Sequence, residues 1–289
     1  LISTATATAA AAASSAAGAA TSASTATTQA SNASTSASAA ATSATQAALV
    51  NRGHIGGHIL TATSTTVVTV GAGVCTSEDS LRVAMQLTGA ETITVTVSGV
   101  GGLGVARSTS TWYHAFVIRK TSDLSIDVYA DTSVSAANIP AGYVAYRRVG
   151  SFWLNAVGSG EVESFTQYGD EFMWTTPILD LSADAYTANA AETVTLTVPL
   201  GVVVKAIISV QGATSSAGAL YASALTATDG DASQTVAPLG QASSGAGAFG
   251  AFSAGIWTNT SKQIRLVSSI NQNIYLATYG WTDHRGKDA

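Results

Sequence analysis

The chain has 289 residues, room for about two domains of ordinary size, and only 10% of them are charged against a usual share of about 25%. A net charge of −5 and a pI near 5.2 give no support to nucleic-acid recognition through a basic surface. The single cysteine, Cys75, excludes an intrachain disulfide and fits assembly in a reducing cytoplasm.

From Leu1 to about Leu49 nearly every residue is Ala, Ser or Thr. With almost no large apolar side chain to remove from water, such a segment builds no globular core of its own. Alanine has the best helix propensity, and small side chains let helices approach closely, so residues 1–49 are expected to form a thin helical stalk shared between several chains. The alternative is a Ser/Thr-rich linker, because these hydroxyls compete for backbone partners. Apolar heptads are absent, which excludes a strong coiled coil on pattern. The chain opens at Leu1, as expected of a processed product or a piece of a longer one, and its first charged residue is Arg52, so no basic leader region is visible. The longest apolar run, Val198–Val210, is interrupted by Pro199, Gly201 and Lys205 and is too short for a membrane span.

After Val50 the period changes to that of strands. Glu91–Ser98 alternates Ile93, Val95 and Val97 with threonines, and Glu192–Val198 does the same with Val194, Leu196 and Val198. Further strands are expected at Thr65–Val70, Leu81–Thr88, Trp112–Arg119, Leu124–Ala130, Tyr143–Phe152, Val202–Val210, Gln263–Ser268 and Asn273–Trp281, separated by Gly, Ser, Asn and Asp clusters. The expected fold is therefore mainly β, with two sandwich-like domains at 50–182 and 183–289. The boundary falls in Leu181–Ala191, which has little strand character. Gly240–Gly255 is so rich in Gly, Ala and Ser that a mobile loop or a close backbone approach is expected there.

Chemistry is sparse. His54 and His58 have a spacing that suits a metal only on a helix, and Gly56 and Gly57 oppose one. They read as loop histidines, or as a ring around a symmetry axis if several chains assemble. His114 reads as a packed strand residue and His284 as solvent-exposed. Glu161 and Glu163 project to one side of an extended segment, and Asp170 and Glu171 lie near Tyr168 and Trp174, a combination that also occurs in sugar-binding grooves; a glycosidase would need two such carboxylates about 5 to 10 Å apart. Asp229 and Asp231 lack the remaining ligands of a calcium loop and read as a turn. Arg147–Arg148 is the one double arginine, suited to acids across a subunit interface or to an exposed strand. No nucleophile elbow, phosphate loop, zincin helix or CxxC is present, so neither a catalytic residue nor a cofactor or metal site is expected.

Three segments carry a resemblance. Trp112–Lys120 with its continuation through Phe152, Gln167–Leu181 (QYGDEFMWTTPILDL) and Gly280–Asp288 (GWTDHRGKD) resemble a recurrent block of tail-fibre and related appendage proteins of tailed bacteriophages and prophages. The resemblance spans about residues 50–289. It implies a virion structural protein, a parallel homotrimer with an alanine-rich stalk ahead of β domains, assembled in the host cytoplasm and contacting the host surface. Neither a virion-attachment domain nor a peptidase-like chaperone is recognisable in these residues, so the resemblance is expected to leave tail, baseplate or head position open.

The expected function is a structural fibre or spike subunit whose partners are its own copies, other virion tail or baseplate proteins and a host-surface glycan or protein, with neither nucleic acid nor membrane insertion involved. Trp112, Trp153, Trp174 and Trp257 are expected at chain–chain contacts, and Phe249, Phe252 and Trp257 near the small-residue loop are the expected receptor contacts. The alternatives are a polysaccharide depolymerase using Glu161, Glu163, Asp170 or Glu171, a head or baseplate decoration fibre, and a trimeric bacterial adhesin.

Overall fold

The computed structural model describes residues 2–50, 53–213, 218–228, 230, 240–244 and 249–287; of these, the side chains of 42, 44–50, 213, 240–244, 249 and 250 lie outside the description. Asp229 and Asp231 also fall outside it. The chain forms two compact units, 1–51 and 52–289.

The first unit is one helix, α1, Ile2–Val50. Its described side chains are all exposed, and it carries no acidic residue in its first turn and no basic one in its last. The expected competition of the hydroxyls is resolved locally. Thr21, Ser22, Thr25, Thr27 and Thr28 each donate to the carbonyl four residues back at 3.0–3.1 Å, and Thr6, Thr8, Thr35 and Ser38 do the same. Each hydroxyl thereby satisfies itself without leaving the helix. At the standard rise per residue α1 extends about 70 Å. No helix among the described residues is apolar enough over its length to cross a membrane.

The described residues of the second unit form strands and no α-helix. In chain order its strands are β1 (Ile55–Gly57), β2 (Leu60–Ser64), β3 (Val67–Val70), β4 (Gly73–Thr76), β5 (Ala84–Leu87), β6 (Glu91–Thr94), β7 (Thr111–Lys120), β8 (Ile126–Asp131) and β9 (Tyr143–Leu154). There follow β10 (Phe165–Tyr168), β11 (Glu171–Tyr186), β12 (Ala191–Thr195), β13 (Lys205–Ala213), β14 (Gly218–Ser223), β15 (Gly240–Ser244), β16 (Phe249–Trp257), β17 (Gln263–Ser268) and β18 (Gln272–Thr282). An eight-stranded sheet runs β16-β13-β18-β11-β10-β2-β3-β6, beside a four-stranded sheet β12-β17-β14-β15 and two three-stranded sheets, β1-β4-β5 and β8-β7-β9.

Alternation accounts for the packing. Val194, Leu196 and Val198 are all buried as their period predicts, in one core with Ile264 and Leu266 of β17, Ile208 and Val210 of β13, and Ile274 and Leu276 of β18. Glu91–Ser98 keeps its alternation only at its start. Ile93 and Val95 are buried, but β6 ends at Thr94 and a turn closed by Val97 N–H to Thr94 O turns Val97 outward. In β7 both faces are covered: Tyr113, Ala115 and Val117 enter the main core, while Phe116 and Ile118 join Tyr129 and Ala136 in a smaller second one.

Two expectations need correction. Leu181–Ala191 is not a boundary between domains: its first six residues finish β11, which pairs with β18 up to Tyr186, and Arg52–Ala289 is a single unit. The described residues of Gly240–Gly255 are not a loop but strands β15 and β16, and β16 pairs residue for residue with β13, the close backbone approach that the small residues also allow.

Candidate functional site

The most chemically populated region of the second unit forms where the chain leaves β18. Trp281, fully buried, closes an aromatic cluster, with ring centroids 5.0 Å from Trp174, 5.1 Å from Phe172 and 5.4 Å from Trp112. Trp153, half-buried, joins Trp112 at 6.5 Å. Trp112 and Trp174 are thus interior to one chain, contrary to the expectation that they meet other copies.

Past Trp281 the backbone folds back over β9 and the β10–β11 turn, held by charge. Arg148 grips Asp283 through two parallel bonds, Nη1 to Oδ2 at 2.6 Å and Nη2 to Oδ1 at 2.7 Å. Asp283 Oδ1 also accepts the Arg285 backbone N–H at 2.8 Å. Arg285 reaches Asp170 Oδ1 through Nε and Nη2 and the Gly57 carbonyl through Nη1, and Lys287 Nζ binds both Asp170 oxygens. Arg147 donates to the Gly53 and Arg285 carbonyls and stands 3.5 Å from Glu78 Oε1. Any side chain on Gly53, whose φ is +77°, would collide with the Lys287 carbonyl.

This corrects the reading of Arg147–Arg148 as exposed or intersubunit, since both are buried and paired inside the chain. The cause is a bulge. Ala115 faces Gly150 but Phe116 faces Arg148, which leaves Val149 unpaired. The extra residue puts Arg148 on the same side as Ser151, whose Oγ accepts from Arg148 at 3.2 Å and meets His114 Nδ1 at 2.8 Å.

Burial alone would push the Asp283 carboxyl up; the Arg148 charge and hydrogen bonds reverse this and hold it below the usual range. Asp170 is lowered in the same way, burial opposing and the Lys287 and Arg285 hydrogen bonds prevailing. Glu78 is raised, because its burial outweighs Arg147 and Arg148. Arg147, Arg148, Arg285 and Lys287 face Glu78, Asp170 and Asp283, so the cluster carries one cation in excess.

Beside the Arg148–Asp283 pair opens a cleft of about 490 Å3. Val202, Val203 and Trp257 form its apolar side, and Arg148, Asp283 and Arg285 its polar side, with His284 between. Trp257 is 42% exposed, and its ring meets the His284 imidazole edge to face at 5.7 Å. Its backbone is fixed by the ladder opposite Lys205.

The expected receptor contacts separate. Phe249, Phe252 and Trp257 all lie on β16; Phe252 turns inward against the core and Trp257 outward into the cleft, as residues five apart on a strand must. The side chain of Phe249 lies outside the described residues. Among the carboxylates, Asp170 is tied to Arg285 and Lys287, Glu163 accepts from Asn155 Nδ2 at 2.9 Å, and Glu161 and Glu163 flank the buried Val162. His54 is exposed and His58 fully buried, so the two do not act as a pair; among the described residues no group of three or more His, Cys, Asp or Glu is placed to hold a metal. The Asp283–Arg285–Asp170 links were missed in the sequence, although the charge-dense DHRGK in a chain so poor in charge was the available signal.

No family model and no curated protein matches the chain. Among solved structures it is similar to one titled "Structure of infectious bursal disease virus Gx strain", with 12% identity, 79% of this chain and 68% of that chain covered, and a TM-score of 0.24, a level that carries no inference.

Proposed function

We propose that this chain is a structural fibre or spike subunit of a bacterial virus, of the tail-fibre type, that works as a trimer of identical copies and contributes to attachment at the host surface. The observation that carries the reading is α1. A helix of this length whose described side chains are all exposed, with no apolar stripe, has no buried face among those side chains to stabilise it. Small residues all round its surface suit close approach by other copies. The resemblance to phage appendage proteins supports the same reading, since its three segments meet in one place: Trp112, Arg148, Asp170, Trp174, Trp281 and Asp283 belong to one aromatic and ionic assembly.

Shared copies also cover the edges of sheets, which otherwise invite aggregation. Sedimentation of the full chain at micromolar concentration tests the assembly. A single species of three copies is expected, and a stable folded monomer would overturn it. Negative-stain images of particles carrying a labelled subunit test the location.

A further inference from the structure

We propose that the cleft at the end of β16 is a saccharide-binding site in which a pyranose ring lies against the indole of Trp257 and hydrogen-bonds to the Asp283 side of the cleft. This names the partner class for the attachment reading above and rests on that reading only for its biological meaning.

A pyranose is amphipathic in a particular way. Its axial C–H groups make an apolar face and its equatorial hydroxyls a polar rim, so a site for it needs a flat aromatic beside fixed polar groups. The cleft supplies both. Trp257 presents an open indole, an unusual exposure for so large an apolar ring. That ring is held in place by its strand backbone and by the His284 imidazole, so little side-chain freedom is lost when a ligand lands. Val203, 55% exposed, extends the apolar side.

Opposite lies a carboxylate that Arg148 has already fixed in position. Asp283 Oδ2 takes one hydrogen bond, from Arg148 Nη1; a carboxylate oxygen accepts two, which leaves capacity for a sugar hydroxyl. The 490 Å3 volume lies within the range of small-molecule sites, about 300–1,000 Å3. Among the residues lining the cleft, the guanidinium groups of Arg148 and Arg285 outnumber the one carboxylate of Asp283, which favours a sugar bearing a carboxylate over its neutral counterpart.

The test is titration of the full chain with methyl β-glucuronide and methyl β-glucoside, followed by saturation-transfer NMR and checked on an array of bacterial surface polysaccharides. Saturable binding is expected, tighter for the glucuronide and weakened at least tenfold in Trp257→Ala. Tyr168→Ala, another exposed aromatic but outside the cleft, should bind as the parent does. Melting curves confirm that both variants fold. Absence of saturable binding to any probe, or equal binding by Trp257→Ala, overturns the site. So does dissociation of the oligomer in Trp257→Ala, since the cleft would then be filled by a second copy. Adsorption to cells that persists in Trp257→Ala overturns the saccharide site while leaving the attachment reading intact, whereas sugar binding by a chain absent from the particle does the reverse.

Discussion

Arg148 and Asp283 are both buried and bind each other through two hydrogen bonds, so removing one strands the other. Asp283→Asn or Arg148→Met is expected to cost about 3–5 kcal/mol, read from urea unfolding. Replacing both by apolar residues of similar volume should cost less than the two single changes together, because no lone charge is left behind. Acid acts through two other buried side chains. His58, fully buried, is lowered to about 4, chiefly by burial and then by the Arg285 and Arg147 charges, with the Gly71 backbone opposing. His114 is lowered to about 3, chiefly by burial and then by Arg148, with Asp283 and Asp131 opposing.

Both histidines stay neutral when folded, whereas an unfolded chain protonates them near 6.5. Stability is therefore complete above about pH 6.5 and falls as pH drops toward 4, where His58 also protonates in the folded state and its share of the slope levels off. Glu78, raised by burial, works in the opposite direction in the carboxylate range. Unfolding at pH 5 should take up about two protons from the histidines, measurable as the slope of stability against pH. At this scale the sequence was only partly legible: the RR dipeptide was visible, but the bulge that buries it depends on a partner strand.

The helix and the strands differed in legibility for reasons of length scale. Composition favours α1 over a linker through its alanines, since propensity is local. Ser and Thr hold it back, so replacing Thr21, Thr25, Thr27 and Thr28 by Ala should raise the helicity of a peptide spanning 2–50 by roughly 0.5 kcal/mol per site, seen by circular dichroism. Strict alternation located β6 and β12. It missed β11 altogether, whose register shifts at three places against β18 as the strand passes Trp174–Pro177, Asp180 and Ser182–Ala183. Such shifts break the period-2 pattern by which strands are recognised. Asp180 shows why one of them is kept: its carboxylate accepts from Thr197 Oγ1 and N–H and from Thr278 Oγ1, pinning β11 both to β18 and to the segment after β12.

At the scale of the molecule, the second unit is joined by contacts far apart in sequence. Arg147 binds the Gly53 carbonyl, Arg285 binds the Gly57 carbonyl, and Asp170 holds Arg285 and Lys287. A chain ending at Thr282 is expected to lose its cooperative melt or to melt many degrees lower, since Asp283, Arg285 and Lys287 all go at once; unchanged melting would show that the folded-back segment is ornamental. The charge density of DHRGK marked this segment, but its partners were not legible in the sequence, because ion pairs between residues more than a hundred apart leave no periodic trace.

The position of β18 has one more effect. It is the last of the described strands in chain order, yet it lies inside the large sheet, between β13 and β11. Until it arrives, a growing polypeptide displays a slot with two unsatisfied edges, open to invasion by any extended stranger. A synthetic peptide with the sequence of residues 272–282 should therefore poison renaturation when present from the start, and do nothing to molecules that have already closed the slot.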